Sequence, residues 1–360
     1  MKQTVRDDLN RLLNKHGFSS VMTVNTDDSS GWLFPFGNEA LAICKQANAH
    51  FAFIEDQKMQ AVAIQDEGVD VVVMYAGMFW MLCRLAAVIA GSGVFTAMKG
   101  ENEPVWKPDL EKSLQTPRKL LVEGTPFNWE QESGGWKNDP ERQMLFYVAL
   151  SILFRFVLFH EIGHLQNDHG RRRAKSSLPM MIDAMSPFLW EPKKAIPSQA
   201  CEIIADNFAL KMTLQMLDHE LSLKADLEMT KILRDKLMPD QEALTKFALE
   251  IIYLYFRLSD RSDWQQVPID RLSHPPAPFR MKTLMAAMIE HRHLDISNEA
   301  MQLAKEVEVV GDAVMSVILE VYPNPHWLQM VSTPEHDQHY ERIFQELPNW
   351  RGRMPGSVNP

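Results

Sequence analysis

The chain has 360 residues, 46% of them hydrophobic and 23% charged. These are the proportions of a soluble globular protein, and they exclude a disordered chain, a collagen-like repeat and a polytopic membrane protein. Forty-seven acidic residues against thirty-seven basic ones leave a net charge of −10, a poor match for nucleic acid, which calls for a basic surface; Arg171-Arg172-Arg173 is a local exception. Cys44, Cys83 and Cys201 are far apart and form no CxxC, so a disulfide framework is not expected. The polar opening MKQTVRDDLNRLLNKHG lacks the apolar core of a signal peptide, and the expected location is cytoplasmic.

In chain order, residues 4–16 and 39–48 read as short amphipathic helices. Three strand-like runs follow, His50–Ile54, Ala61–Gln65 and Val69–Tyr75, spaced as a small antiparallel sheet with 69–75 as its candidate edge. Val69–Phe95 is long enough to span a bilayer but contains Arg84; it reads as a buried strand followed by a core helix over 77–90, with Arg84 snorkelling to the surface. Residues 99–140, rich in Pro, Gly, Trp and charge, read as an irregular insertion or lid. A long apolar helix then starts at Pro140, capped by Asp139, and is expected to stop at Gly170. Residues 171–197 read as a loop, and Ser198 caps a helix through about residue 218. Further helices are expected near 221–236, 240–259, 276–292 and 297–322, with a polar tail on the surface. The fold class expected is α+β, one domain over 1–360, with the sheet packed on a mainly helical lobe.

The sharpest chemical signal is His160-Glu161-Ile162-Gly163-His164. Four residues apart on a helix, His160 and His164 lie on one face and can reach one zinc ion. Glu161, about 100° further round, can sit beside the metal without ligating it and move protons for an attacking water. Two histidines need a third ligand. His169 does not fit: the metzincin pattern would need Gly at 167 and His at 170, where Asn167 and Gly170 stand. On a continued helix His169 would also be turned about 140° from His164; it reads as a surface or helix-end histidine. Glu202 fits better. It lies in ACEIIADNFAL, with Asp206 one turn later on the same face and Ala205 and Ala209 leaving room for a close helix partner. That is a gluzincin arrangement, in which Glu202 would ligate and Asp206 would accept the second ring N–H of His160. Farther on, His274 precedes Pro275-Pro276, and Arg280 opens the following helix.

The three segments together, HEIGH at 160–164, EIIAD at 202–206 and HPP with Arg280 at 274–280, resemble the HtpX/CAAX prenyl endopeptidase family of gluzincin metallopeptidases in order and internal spacing. The resemblance covers roughly residues 40–295 and includes QAVAIQDEGVDVVVMYAGMFWML, similar to the family's strand before the active-site helix. In size and plan the chain is also similar, more weakly, to Lit-type phage-exclusion peptidases. What the resemblance implies is a zincin-like fold and a zinc endopeptidase acting on a protein or peptide. His160, His164 and Glu202 would hold Zn2+, Asp206 would orient His160, and Glu161 would be the base. His274 and Arg280 would stabilise the oxyanion, a peptide would pair with the sheet edge, and 99–140 would restrict access. Two alternatives stay open: a catalytically silent member of the fold acting by interaction, and a Lit-like peptidase that cleaves a host protein.

Overall fold

The computed structural model describes residues 9, 11–18, 21–22, 33–66, 68–98, 100, 124–132, 134–175, 190–223, 227–260, 262–292, 299–319 and 326–352. It is mostly helical, with one small mixed sheet, an α+β architecture. The sheet contains β1 (Val21–Met22), β2 (His50–Ile54), β3 (Ala61–Asp66) and β4 (Val69–Tyr75), in the order β1-β2-β4-β3. The strands fall where expected, but the topology differs. β2 and β4 are parallel, β3 and β4 antiparallel, so the sheet is mixed, and 69–75 is a central strand, with β1 and β3 at the edges. Burial gives the reason. β2 and β4 are buried almost continuously, as central strands are, whereas β3 alternates between buried and half-buried positions, as an edge strand does. Gly68, at φ +79°, supplies the left-handed residue that the two-residue β3–β4 turn requires.

Behind the sheet, α1 (Leu33–Gln46) begins six residues before the expected start, and α2 (Ala76–Gly91) is buried along its whole length. Val69–Phe95 therefore divides into strand and core helix as expected. Arg84 does not snorkel. It is buried and held by the Glu132 carboxylate, at 2.6 and 3.0 Å, and by the carbonyls of Thr125 and Pro126.

The axis of the molecule is α3 (Pro140–Gln166), against which α2, β3 and two later helices pack. Asp139 caps it, accepting from the backbone N–H groups of Glu141 and Arg142. It is long and apolar enough to cross a membrane, and 83% of its apolar window is buried inside the protein. Its one mid-helix charge, Arg155, is buried between Glu39 at 2.5 Å and Glu220 at 2.7 Å. The described part of the 99–140 insertion is anchored at both ends, with Gly124 against the Gln57 carbonyl and an aromatic cluster farther on. Phe127, Trp129 and Trp136 cluster on Phe146, and Phe146 lies fourteen residues before His160 on α3, about 21 Å along the axis at 1.5 Å per residue. Residues 101–123 lie outside the described residues.

α3 ends at Gln166, short of Gly170. Asp168 takes the left-handed conformation at φ 58°, and α4 (His169–Lys175) follows where a loop was expected. α5 (Pro192–Leu223) begins before Ser198 and carries Pro197 in its first turns. α6 (Glu228–Lys236), α7 (Gln241–Ser259), α8 (Ala277–Arg292) and α9 (Glu299–Leu319) follow near their expected places. The tail is not a surface appendage. It forms α10 (Pro334–Trp350), which packs on α5 through a second core of Ile203, Ile204, Leu272, Phe279, Ile343, Leu347 and Trp350.

Candidate metal centre

α3 and α5 cross in close contact at Gly163. A Cβ built there would stand 3.0 Å from the Ala205 Cα and 3.2 Å from its carbonyl oxygen, so only a glycine lets the two backbones approach this far. The crossing brings Glu202 opposite His160 and His164. The two imidazole Nε2 atoms are 3.2 Å apart. One Glu202 oxygen lies 3.4 Å from His160 Nε2 and the other 3.3 Å from His164 Nε2. These three residues form a group that could bind a metal ion, the only such group among the described residues.

Each member is held from behind. Asp206, fully buried, lies 2.9 Å from His160 Nδ1. Arg280 donates to both Asp206 oxygens, Nε at 2.7 Å and Nη2 at 2.6 Å. This differs from the expectation for Arg280, because its guanidinium is spent on Asp206 and it does not line the cavity. The same Arg280 Nη2 and the Nη2 of Arg173 each stand 3.9 Å from a different oxygen of Glu202, so the carboxylate is flanked by two cations. His164 meets an unforeseen neighbour. His169, expected at the surface, is buried, with its Nδ1 2.9 Å from His164 Nδ1 and its Nε2 donating to the Trp350 carbonyl at 3.1 Å.

Electrostatics follows from these contacts. Burial resists charging His160, but Asp206 and Glu202 outweigh it and hold the imidazole up at about 10. Burial opposes ionisation of Glu202 as well, and the surrounding imidazoles overcome it, keeping the carboxyl well below the usual range. Asp206 is lowered against its burial by Arg280 and His160. Glu161 goes the other way: burial raises it, although it accepts the Ala63 backbone N–H. A carboxyl raised in this way beside a metal-binding group is suited to taking and returning a proton.

The centre opens into a cavity lined by Gln60 and the β3 residues Ala61–Ala63 and Gln65, by His160, Glu161, His164 and Glu202, by His169, Gly170 and Arg173 of the following segment, and by His274. His274 thus shares the cavity with Glu161 and the metal-binding group. Burial drives it down to about 4, so it is neutral at pH 7, and Ser273 Oγ lies 3.0 Å from its Nδ1. The loop that carries it is fixed from α5, where Gln199 Nε2 donates to the carbonyls of Ile269 and Leu272. Arg171-Arg172-Arg173 is no basic patch either: Arg171 pairs with Asp70 and Asp168, Arg172 reaches the carbonyls of Asn349 and Arg351, and Arg173 is buried beside Glu202.

Sequence reasoning missed Arg173 and the role of His169. Both follow the unforeseen turn at Asn167-Asp168, and the only sequence sign of that turn is the Asn-Asp pair itself. Comparison with protein-family models, with curated proteins and with solved structures gave no match to this chain.

Proposed function

We propose that the protein is a zinc-dependent endopeptidase of the gluzincin kind, similar to the HtpX/CAAX prenyl endopeptidases, with His160, His164 and Glu202 as the ligands. One observation carries the choice of metal and geometry. Zinc–nitrogen and zinc–oxygen bonds of about 2.0–2.1 Å, set tetrahedrally, place neighbouring donor atoms about 3.3–3.4 Å apart. Here the two imidazole Nε2 atoms are 3.2 Å apart, and each lies 3.3–3.4 Å from its nearer Glu202 oxygen, a different oxygen for each, so a small rotation of the carboxylate brings one oxygen to both. Three protein ligands also leave a fourth position, the mark of a catalytic rather than a structural site.

Bound zinc supplies a Lewis acid that polarises a carbonyl and acidifies a water. The chain's own residues do the rest. Glu161 takes the proton of the attacking water and delivers it to the leaving amine, and the Ala63 N–H fixes its carboxylate in place. With a metal ion held there, Asp206, locked by Arg280, would keep the His160 ring proton on Nδ1 and leave Nε2 to ligate. Edge strand β3 runs along the cavity and, among the described residues, pairs with another strand on one side only, so an extended peptide can add to its other side by main-chain hydrogen bonds beside the Ala63 N–H that Glu161 takes. His274, with Ser273 donating to Nδ1, presents an Nε2–H to the developing oxyanion. Arg280 acts through Asp206 and not on the substrate.

The test uses zinc-loaded wild type and Glu161→Gln on denatured proteins and on a proteome-derived peptide library, with new termini read by mass spectrometry. Cleavage by the wild type, abolished by chelator and reduced at least about a hundredfold in the variant, is expected. Equal cleavage by both proteins, or none by either, overturns the proposal.

A further inference from the structure

The two metal-ligating imidazoles are backed by different partners. His160 has a carboxylate behind it, the usual partner of a ligating histidine. Behind His164 stands a second imidazole, and behind that stands the end of the last helix. Trp350 lies in the final turn of α10, where carbonyls have no partner within the helix. All the carbonyls from 349 to 351 are met by α4: Arg172 Nη1 lies 3.2 Å from both the Asn349 and the Arg351 oxygens, and His169 Nε2 lies 3.1 Å from Trp350 O. In return, the Gly352 N–H donates to Asn167 Oδ1 at 2.7 Å. The same helix reaches the other side of the site from its middle: the buried His339 lies 2.7 Å from Gln199 Oε1, and Gln199 holds the loop that carries His274.

A carbonyl oxygen can only accept, so the ring proton of a neutral His169 must be on Nε2. Its Nδ1 then carries a lone pair, and the 2.9 Å contact requires His164 to donate from its own Nδ1. With its proton there, His164 has a free lone pair on Nε2, the atom 3.3 Å from Glu202 and 3.2 Å from His160 Nε2. We propose that His169 is a positioning residue for the metal centre, fixing the tautomer and ring plane of His164 and passing to it the anchorage of the C-terminal helix. This rests on the metal-centre reading above. His169 is not itself a ligand, because its Nδ1 meets the ring nitrogen of His164 that faces away from the centre.

Two substitutions separate positioning from packing. His169→Phe keeps a ring against Trp350, whose centroid is 6.3 Å away, and removes both nitrogens. His169→Asn gives up ring volume but sets an amide oxygen near the place of Nδ1, able to accept from His164. Zinc affinity is read by competition with a chromophoric chelator, and the wild-type ring tautomers by two-bond proton–nitrogen NMR correlation. His169→Phe is expected to bind zinc about 10–100-fold more weakly, the usual cost of losing such a partner, and His169→Asn to recover most of that loss. The wild-type spectrum is expected to show the Nδ1–H form of His164 and the Nε2–H form of His169. Wild-type affinity in His169→Phe, equal losses in both variants, or the opposite tautomers would overturn the proposal. If wild type binds zinc tightly and His169→Phe does so equally, only this inference fails; if wild type binds no zinc, the metal-centre reading fails with it.

Discussion

Gly163→Ala tests how the fold builds the centre. The added methyl would meet Ala205 Cα at 3.0 Å, Ala205 O at 3.2 Å and Phe208 Cβ at 3.3 Å. Carbon atoms rest about 3.5–4.0 Å apart, so α3 and α5 must separate by roughly 0.5 Å or more. The obstacle is backbone, and trimming Ala205 to glycine gives no relief. Stability responds weakly, because alanine adds about 0.8–1.0 kcal/mol of helix propensity over glycine against an overpacking cost of about 1–3 kcal/mol. The metal site responds more strongly. His160 and His164 flank the contact on α3, Glu202 lies within a turn of it on α5, and metal–ligand distances tolerate only about 0.2 Å. Zinc affinity should fall at least about tenfold, or about 1.4 kcal/mol, while the urea-denaturation midpoint of the metal-free protein moves little. Chelator competition and denaturation on the same preparations give both numbers. Zinc affinity equal to wild type would refute the claim that this crossing sets the ligand geometry.

Arg280→Met should cost about 3–5 kcal/mol in urea denaturation, because it strips the fully buried Asp206 of its bidentate partner; a loss below about 1 kcal/mol would show that Asp206 is compensated elsewhere. His339 is held neutral by burial, down to about 4. The unfolded chain takes up its proton near pH 6.5 and the folded chain only near pH 4, so this contribution is present above pH 6.5 and is lost as pH falls. Between pH 7.5 and pH 5 the wild type should lose about 2 kcal/mol relative to His339→Gln, and parallel stability profiles for the two proteins would contradict it.

The parts of the site on unbroken helices were legible. The i, i+4 spacing of His160 and His164 and of Glu202 and Asp206 fixes the two faces, and the small residues Gly163 and Ala205 mark where they meet. The spacing of Arg280 from His274 puts it near the site, but no local pattern foretold that Nε and Nη2 of its guanidinium pair with the buried Asp206. The sheet order was readable and misread: the alternation of Ala61–Asp66 marks an edge strand and the continuous apolar run of Val69–Tyr75 a central one. His169 and the C-terminal helix were not legible, because their importance comes from contacts across 181 residues of chain that no local pattern encodes. Thr333 and Pro334 do form a start signal for α10, with Thr333 capping His336 N–H, but its polar composition hid the buried stripe of His339, Ile343, Leu347 and Trp350.

The central claim is a three-ligand zinc site, and X-ray absorption at the zinc edge, with metal counted on the same sample, tests it most directly. One zinc per chain, with a first shell of two imidazoles and two oxygens at about 2.0–2.1 Å, is the result expected for the wild type, and Glu202→Ala should lose the metal or one oxygen from the shell. A wild-type protein that holds no zinc after loading and dialysis, or a Glu202→Ala spectrum identical to the wild type, would contradict the account.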